Sequence, residues 1–306
     1  GGGAAGGHAK TPEEVLGELA EGLLAQIPKQ FDRERVAKKF PIRFDESMNT
    51  VLAQELIRFN ALIETVQSSL SNLLKALKGL IVMSADLEQV AQALNNGKVP
   101  ALWAKKSYPS LKPLAGYVHD LLERLSFLQR WIDKGQPSMF WISGFFFVHA
   151  FMTGAMQNFA RKFTIPVDTL NFDHIMLPLE KYDTAPEDGV YVFGLFCEAG
   201  RWNKTQGVLD DSEPKILFAA MPTMWFLPKE KPPLSTLWVE ETPGMGAAGG
   251  AMPGYVCPIY NTSARRGTLS TTGHSTNYVC PILLPSNRPQ SHWIKRGTAL
   301  LMQLDD

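Results

Sequence analysis

Residues 47–79 read SMNTVLAQELIRFNALIETVQSSLSNLLKALKG, and this stretch decides the architecture of the first half of the protein. Large apolar side chains recur in it at alternating spacings of four and three residues, a heptad pattern that predicts one long amphipathic helix. Asp45 or Ser47 can cap the start of that helix, and Gly79 lies at its end. The apolar seam consists of Leu52, Leu56, Phe59, Ile63, Val66, Leu70, Leu73 and Leu77.

Two interpretations of this seam are open. A coiled-coil arm would pair the seam with a second copy of the protein, which would make it a dimerisation module. A helical bundle would instead cover the seam with neighbouring helices of the same molecule. We expect the bundle, because three more helical segments follow immediately in the sequence.

Four other segments have helical patterns. The first begins with a capping box, in which Thr11 is the cap, Pro12 follows and Glu14 completes the box, and it ends at Pro28. Two more cover residues 86–94 and 114–133, and the loop before the latter carries Trp103 and Tyr108. A fifth, mostly buried helix is expected over residues 139–163. Its apolar run, residues 140–156, is shorter than the roughly 20 residues that span a bilayer, so we expect it in a soluble core.

The pattern changes after Asp168, where Pro and Gly recur every few residues and the apolar runs become short. Such spacing predicts an antiparallel sandwich or small barrel. The expected strands are 190–193 and 195–197, separated by Gly194 as a kink, and then 215–218, 223–227, 237–240, 255–260, 277–284 and 299–304.

The fold class predicted from these patterns is α+β. About five helices come first, and an antiparallel β-rich half follows that we expect to form a small β-barrel. We divide the sequence into a flexible Gly/Ala-rich tail (residues 1–10), a helical subdomain (11–170) and a β-barrel-like subdomain (171–306).

Composition excludes several classes of function. The 306 residues include 30 Lys+Arg and 30 Asp+Glu, so the net charge is zero, which argues against non-specific nucleic-acid binding and against a polybasic membrane anchor. The three cysteines form no CxxC pair, so we expect buried thiols in a reducing compartment and no zinc site. The sequence starts with Gly1, and we therefore expect a fragment whose parent carries the chemistry elsewhere.

The sequence contains no complete nucleotide-binding motif. Lys98 follows Gly97, but the remaining positions of a phosphate-binding loop do not match. Residues 244–249 match GxGxxG by letter, but Pro243 precedes them and Pro253 follows, so no helix can begin there to receive a pyrophosphate. We interpret that stretch as a loop.

Two remaining features carry candidate residues. Residues 268–277 are rich in hydroxyl groups around His274, which would allow a stand-alone hydrolase using His274 with Ser270 or Ser275. No GxSxG motif is present, and a loop between strands explains the composition as well. Arg201-Trp202 and Arg265-Arg266 contain residue types that anchor protein interfaces, and an ordinary charged surface is the alternative interpretation.

Several blocks of the sequence, in order, resemble the C-terminal domain of dynein heavy chains of the axonemal type. The resemblance covers residues 11–306. The blocks are MNTVLAQE (48–55), RFN (58–60), KGLIVMS (78–84), SYPSLKPL (107–114), FWISGFFF (140–147), QNFARK (157–162), IPVD (165–168), RGTLSTTGHSTN (266–277) and HWIKRG (292–297). The family-signature and interface candidates are Arg58, Trp103, Tyr108, Arg161, Arg201, Trp202, Arg266, His274, Trp293 and Arg296.

The resemblance implies a segment that follows the sixth AAA+ module of a microtubule motor, helical first and then a small β-barrel, lying on one face of the ATPase ring. It implies no catalytic, metal or cofactor site in this segment, because ATP and magnesium are bound by upstream AAA+ modules. Residues 242–254 look longer than the usual connection between strands in the family, and residues 1–7 match nothing in it.

The implied partners are the remaining AAA+ ring of the same heavy chain and other dynein subunits. Microtubules are reached only through the upstream stalk, and neither nucleic acid nor membrane is involved. The implied role is to brace the ring and to modulate the coupling of ATP hydrolysis to minus-end-directed movement. The implied location is cytoplasmic, in the axoneme of cilia or flagella.

Overall fold

A computed structural model describes residues 7–230, 254–265 and 277–306. The described part is helical first and rich in strands afterwards, which confirms the α+β prediction. Its helices are α1 (Pro12–Gln26), α2 (Arg33–Lys39), α3 (Ser47–Leu77), α4 (Ala85–Asn95), α5 (Ala101–Ala104), α6 (Leu114–Lys134), α7 (Val148–Phe163) and α8 (Gln290–Arg296). Its strands are β1 (Met139–Trp141), β2 (Leu170–Met176), β3 (Val190–Phe193), β4 (Phe196–Glu198), β5 (Arg201–Asn203), β6 (Val208–Asp210), β7 (Phe218–Ala220), β8 (Met224–Glu230), β9 (Gly254–Tyr260), β10 (Tyr278–Pro285) and β11 (Ala299–Leu301).

The long helix α3 lies at the centre of the helical half. Seven of the eight seam residues, from Leu52 to Leu73, are at most 1% exposed. Helices α1, α2, α4, α5 and α7 of the same molecule pack against α3. The bundle interpretation is therefore confirmed, and the seam is not free to form a dimer arm. The helix is capped by Glu46, whose carboxylate accepts from the Met48 N–H at 3.0 Å, so the expected caps Asp45 and Ser47 were wrong.

The capping box of α1 is present as predicted. The Thr11 hydroxyl accepts from the Glu14 N–H at 3.2 Å, and the Glu14 carboxylate accepts from the Thr11 N–H at 3.0 Å. The described helical half contains seven α-helices rather than about five, because α2 and α5 are too short to show a period of their own. Among the described residues, no helix combines the length and the apolar content needed to cross a bilayer.

The segment predicted as one buried helix, residues 139–163, is divided. It begins as strand β1, turns through a single 3₁₀ turn (Ile142–Gly144) and only then enters α7. Strand β1 pairs in parallel with β3, about 50 residues later in the sequence, so a distant partner overrides the local preference. At the turn a Cβ on Gly144 would lie 2.5 Å from the Trp141 ring, so the tight turn requires glycine.

The described strands form mixed, open sheets. The first sheet has the order β1-β3-β8-β2, the second β10-β9-β11-β4-β7, and β5 and β6 form a separate pair. The β1–β3 and β11–β9 pairs are parallel, so the expectation of a purely antiparallel half was wrong. The described strands also do not close into the expected small barrel, because the edge strands β1 and β2, like β10 and β7, do not pair with each other.

The two halves share one hydrophobic core. The buried cluster contains α3 residues such as Phe59 together with β8 and β10 residues such as Phe226 and Ile282. Gly194, with a φ of 102°, separates β3 from β4 and lies against the Trp141 ring of β1, so the predicted kink is present where the backbone passes from one sheet to the other. The division at residues 170 and 171 stays a prediction, and the expected strand 237–240 lies outside the described residues.

Candidate interaction surface

Three of the predicted interface residues lie in the interior. The indole N–H of Trp103 donates to the Ser69 hydroxyl at 2.7 Å, and the indole N–H of Trp293 donates to the Ser286 hydroxyl at 2.8 Å. Tyr108 is buried under the guanidinium of Arg124. These aromatic residues stabilise the fold and are not available to a partner.

Three further candidates join the β5–β6 hairpin to neighbouring elements. Arg201 on β5 pairs with Asp210 on β6 at 3.0 Å, while Arg296 on α8 pairs with Asp211 at 3.2 Å. Trp202 is partly buried against the core. The hairpin and α8 are thus held together by charge pairs at the surface.

Other candidates fall outside the described residues. These are Arg266 and His274, the two serines considered with His274 (Ser270 and Ser275), and the GxGxxG match at 244–249. The hydrolase interpretation is therefore untested. Within the described ranges, no group of three His, Cys, Asp or Glu side chains is placed to hold a metal ion.

The guanidinium groups of the last two candidates, Arg58 and Arg161, each lie over the exposed aromatic ring of another residue. The Arg58 guanidinium lies 5.0 Å from the centroid of the Phe147 ring, and that of Arg161 lies 4.4 Å from the centroid of the Phe44 ring. Arg161 also donates to the Phe44 carbonyl at 2.6 Å and to the Ser47 hydroxyl at 2.9 Å. Two arginines from α3 and α7 thus fix two aromatic side chains at the surface.

A groove of about 610 Å³ runs between α7 and the loop that precedes α3. We call it the α7 groove and define it by Ile42, Phe44, Phe147, His149 and Arg161, which line it. Ile42 and Phe44 are 75% and 76% exposed, and Phe147 is 45% exposed. Large apolar side chains exposed together on one surface are typical of an interaction site.

The groove has a rigid floor. A Cβ on Gly154 of α7 would lie 3.1 Å from side-chain atoms of Met48 and Val51, so α7 approaches α3 closely here. At the same junction the Asn158 side chain accepts from the Ser47 N–H at 2.7 Å and donates to the Glu46 carboxylate at 2.9 Å. The start of α3 and the middle of α7 are thereby fixed relative to each other.

A buried carboxylate holds one edge of the groove. Glu55 on α3 is fully buried, and its two oxygens accept from the N–H groups of Phe146 and Phe147 at 2.6 and 3.1 Å. Burial raises the pKa of Glu55 from 4.5 to about 7, although the two N–H groups and nearby arginines act in the opposite direction. Sequence reasoning missed this residue. The available signal was its position three residues after Leu52, on the apolar side of the helix.

A buried arginine, Arg124, contacts the same turn at the neighbouring residue Phe145. Arg124 on α6 donates to the Asp120 carboxylate at 2.8 Å and to the Phe145 carbonyl at 3.1 Å. Its guanidinium carbon lies 3.5 Å from the centroid of the Tyr108 ring. The turn before α7 is therefore held through a carbonyl by Arg124 and through two N–H groups by Glu55.

The sequence is similar to known proteins over nearly its whole length. A family model for the C-terminal domain of dynein heavy chains matches residues 1–302, so the expectation that residues 1–7 match nothing in the family was wrong. The protein is 50% identical to dynein axonemal heavy chain 12 of mouse over 300 residues, and 52% identical to human dynein axonemal heavy chain 3 over 302 residues. It is 49% identical to dynein axonemal heavy chain 1 of rat over 298 residues. The matches cover 97–98% of this protein but only 6–9% of those relatives.

Proposed function

The protein belongs to the family of C-terminal domains of dynein heavy chains, and we propose that it is the non-catalytic, structural and regulatory domain at the C-terminus of an axonemal dynein heavy chain. In this proposal the domain packs on the AAA+ ring of the same heavy chain and modulates ATP-driven, minus-end-directed motility on microtubules. ATP and magnesium are bound by upstream AAA+ modules, and microtubules by the upstream stalk. Other dynein subunits are further partners, and the site of action is the axoneme of cilia or flagella.

The α7 groove carries this proposal. Ile42, Phe44 and Phe147 leave much apolar surface exposed in the described part of the protein. Arg161 and Arg58 hold the rings of Phe44 and Phe147 in place. A preorganised apolar surface favours a permanent partner, because little conformational entropy is lost when that partner binds. The relatives are at least ten times longer than the matched segment, so the partner we propose is the remainder of the same heavy chain.

The balance of charge supports the same assignment. Equal numbers of acidic and basic residues favour contact with a protein ring over direct contact with the acidic surface of a microtubule. The absence of a phosphate-binding loop from the sequence supports a domain that depends on upstream modules for nucleotide.

The proposal is tested by placing charge in the groove of the full heavy chain. We expect Phe44→Asp combined with Phe147→Asp to change microtubule-gliding velocity and to alter how strongly microtubules stimulate ATP turnover. The matched control is Leu217→Asp, which charges an apolar residue that is 72% exposed but lies outside the groove. Identical motility of the groove variant and the control would contradict the assignment of the groove.

A second measurement tests the non-catalytic assignment. The purified 306-residue protein is expected to show no magnesium-dependent ATP hydrolysis above the background of a buffer control. Sustained turnover that survives repeated purification would overturn this part of the proposal.

A further inference from the structure

The interior of the helical half contains a carboxylate whose hydrogen-bond donors are all backbone groups. Glu55 is 0% exposed and accepts from two consecutive N–H groups, those of Phe146 and Phe147, one on each oxygen. The nearest nitrogen of Arg58 lies 3.8 Å from Glu55, which is too far for a hydrogen bond, and that nitrogen has no hydrogen-bond partner. Arg58 therefore forms a long ion pair with Glu55 but no hydrogen bond, and the only hydrogen bonds to this carboxylate among the described residues come from backbone N–H groups.

The ionised carboxylate matches this pair of donors better than the protonated one does. An ionised carboxylate presents acceptor sites on both oxygens, whereas a protonated one carries an O–H donor on one of them. A proton on Glu55 would set that O–H against the N–H of Phe146 or Phe147, or would turn the oxygen away from it. Protonation thus weakens one of the two bonds that hold the backbone at residues 146 and 147.

This backbone carries an edge of the α7 groove. The Phe147 side chain lines the groove, lies under the Arg58 guanidinium and contacts the His149 ring at 5.3 Å between centroids. Residue 147 also occupies the N-cap position of α7, without a capping hydrogen bond from its side chain. A change in the two bonds to Glu55 is therefore transmitted directly to an exposed aromatic residue of the groove and to the start of the helix that forms its wall.

Two charged groups act directly on Glu55, Arg58 on α3 and Arg124 on α6. The other titratable groups of the neighbouring elements contact its partners: Asp120 on α6 and Tyr108 before α6 contact Arg124, and His149 on α7 contacts Phe147. The two arginines stabilise the ionised form, while burial opposes it more strongly, and the pKa of Glu55 is raised to about 7. Its charge is thus sensitive to pH near neutrality.

We propose that Glu55 is a proton-dependent clamp that positions Phe147 at the edge of the α7 groove. The ionised carboxylate holds both N–H groups and fixes the aromatic edge, and the protonated form releases one of them. The effect of the clamp on a motor rests on the proposed function. The clamp itself does not, because it can be observed in the isolated protein.

The test is a nuclear magnetic resonance titration of the protein labelled with ¹⁵N-phenylalanine, followed from about pH 5.5 to about pH 8.5, a range that brackets the raised pKa. We expect the amide proton resonances of Phe146 and Phe147 to move together, with one midpoint near neutral pH, and to move upfield on acidification as the bonds weaken. In Glu55→Gln the movement is expected to disappear. Glu64→Gln, on the exposed side of the same helix, is the matched control and should titrate like the wild type.

Two results would overturn the proposal. The first is a flat titration of both amides in the wild type. The second is a titration that persists in Glu55→Gln but disappears in His149→Gln, which would assign it to the histidine. If Glu55→Gln does not fold, the His149→Gln variant decides by itself, because the clamp requires its titration to remain. A titration that contradicts the clamp would not change what the motility experiments on the groove variants show. Motility results that contradict the proposed function would likewise not change the interpretation of this titration.

Discussion

The Arg161 guanidinium on α7 covers the ring of Phe44, with 4.4 Å between the guanidinium carbon and the ring centroid. The same guanidinium donates to the Phe44 carbonyl at 2.6 Å. One side chain therefore fixes both the backbone and the aromatic ring of a residue that is otherwise exposed. This relationship gives the loop before α3 a defined shape on the surface.

Replacing Arg161 by Ala should release that loop. The variant loses the hydrogen bonds to Phe44 and Ser47 as well as the cation–π contact, which together correspond to about 1–3 kcal/mol of unfolding free energy. We expect faster tryptic cleavage after Arg43 and a lower midpoint of urea unfolding. Arg130→Ala, at an exposed position of α6, is the control. Equal cleavage rates in the two variants would show that Arg161 does not order the loop.

Glu55 should make the stability of the protein depend on pH. Because its pKa is raised from 4.5 to about 7, the native state binds the proton more tightly than the unfolded state. Its contribution to stability is therefore full below about pH 4.5 and is lost as pH rises through about 7, a change on the order of 3 kcal/mol. Urea unfolding of wild type and Glu55→Gln between about pH 5 and about pH 8 measures it.

The unfolding free energy of the wild type minus that of Glu55→Gln should fall as pH rises. Glu64→Gln should leave the wild-type slope unchanged, and a Glu55→Gln variant with that same slope would contradict the assignment. Acidification is thus expected to stabilise the whole fold, since a buried charge is removed, while it weakens the two local bonds to Phe146 and Phe147. Global unfolding and local amide shifts separate these two effects.

Removing the partner of the buried arginine should be costly. Asp120→Ala leaves the Arg124 guanidinium, which belongs to a residue that is 2% exposed, without its carboxylate, and a charge left unpaired in this way typically costs about 3–5 kcal/mol. Glu123→Ala, on the exposed side of the same helix, should change the unfolding free energy by less than about 1 kcal/mol. Similar losses in both variants would mean that Arg124 is not held in the way described.

The α3 seam should stabilise the fold without controlling association. Leu56→Ala creates a cavity in the bundle and is expected to cost about 2–5 kcal/mol of unfolding free energy. Ile57→Ala, at the adjacent position that is 47% exposed, should cost much less. Sedimentation velocity should give the same oligomeric state for wild type and both variants. Dissociation of a dimer specifically in Leu56→Ala would restore the dimer-arm interpretation.

The thiols should resist modification in the folded protein. Cys197 and Cys257 are buried, and burial raises the pKa of Cys197 and of Cys280 to about 12, which keeps the reactive thiolate scarce. At about pH 8, near the pKa of a free thiol, we expect a thiol reagent to react slowly with the native protein. It should label all three cysteines once guanidinium chloride unfolds the fold. Rapid labelling of Cys197 or Cys257 in the native protein would contradict this burial.

The sequence predicted those secondary-structure elements that are specified by residues close together in the sequence. The heptad spacing located α3 and its buried face, and the short motif at Thr11 located the start of α1, because both depend on residues within a few turns of one helix. The family resemblance was also carried by contiguous blocks and was confirmed. Among the interface candidates, Arg161 proved to line the groove.

The rest depended on residues distant in the sequence. Strand β1 exists because β3 lies beside it, and no pattern within residues 139–141 announces that partner. Trp103 and Trp293 have the composition of interface anchors, but their N–H groups are satisfied inside the fold. Glu55 is buried because two N–H groups approach it from the turn before α7, so its role became visible only when the turn was placed.

The position of strand β1 determines where this protein can be truncated. It lies between α6 and α7, yet its three residues form an edge of a sheet built otherwise from β2, β3 and β8, which begin at residue 170 or later. A polypeptide that ended at residue 170 would leave Met139, Phe140 and Trp141 without their β3 partners. The helical half therefore depends on the strand-rich half for this pairing, and truncation at that boundary would leave backbone groups of β1 without the partners they have in the intact fold.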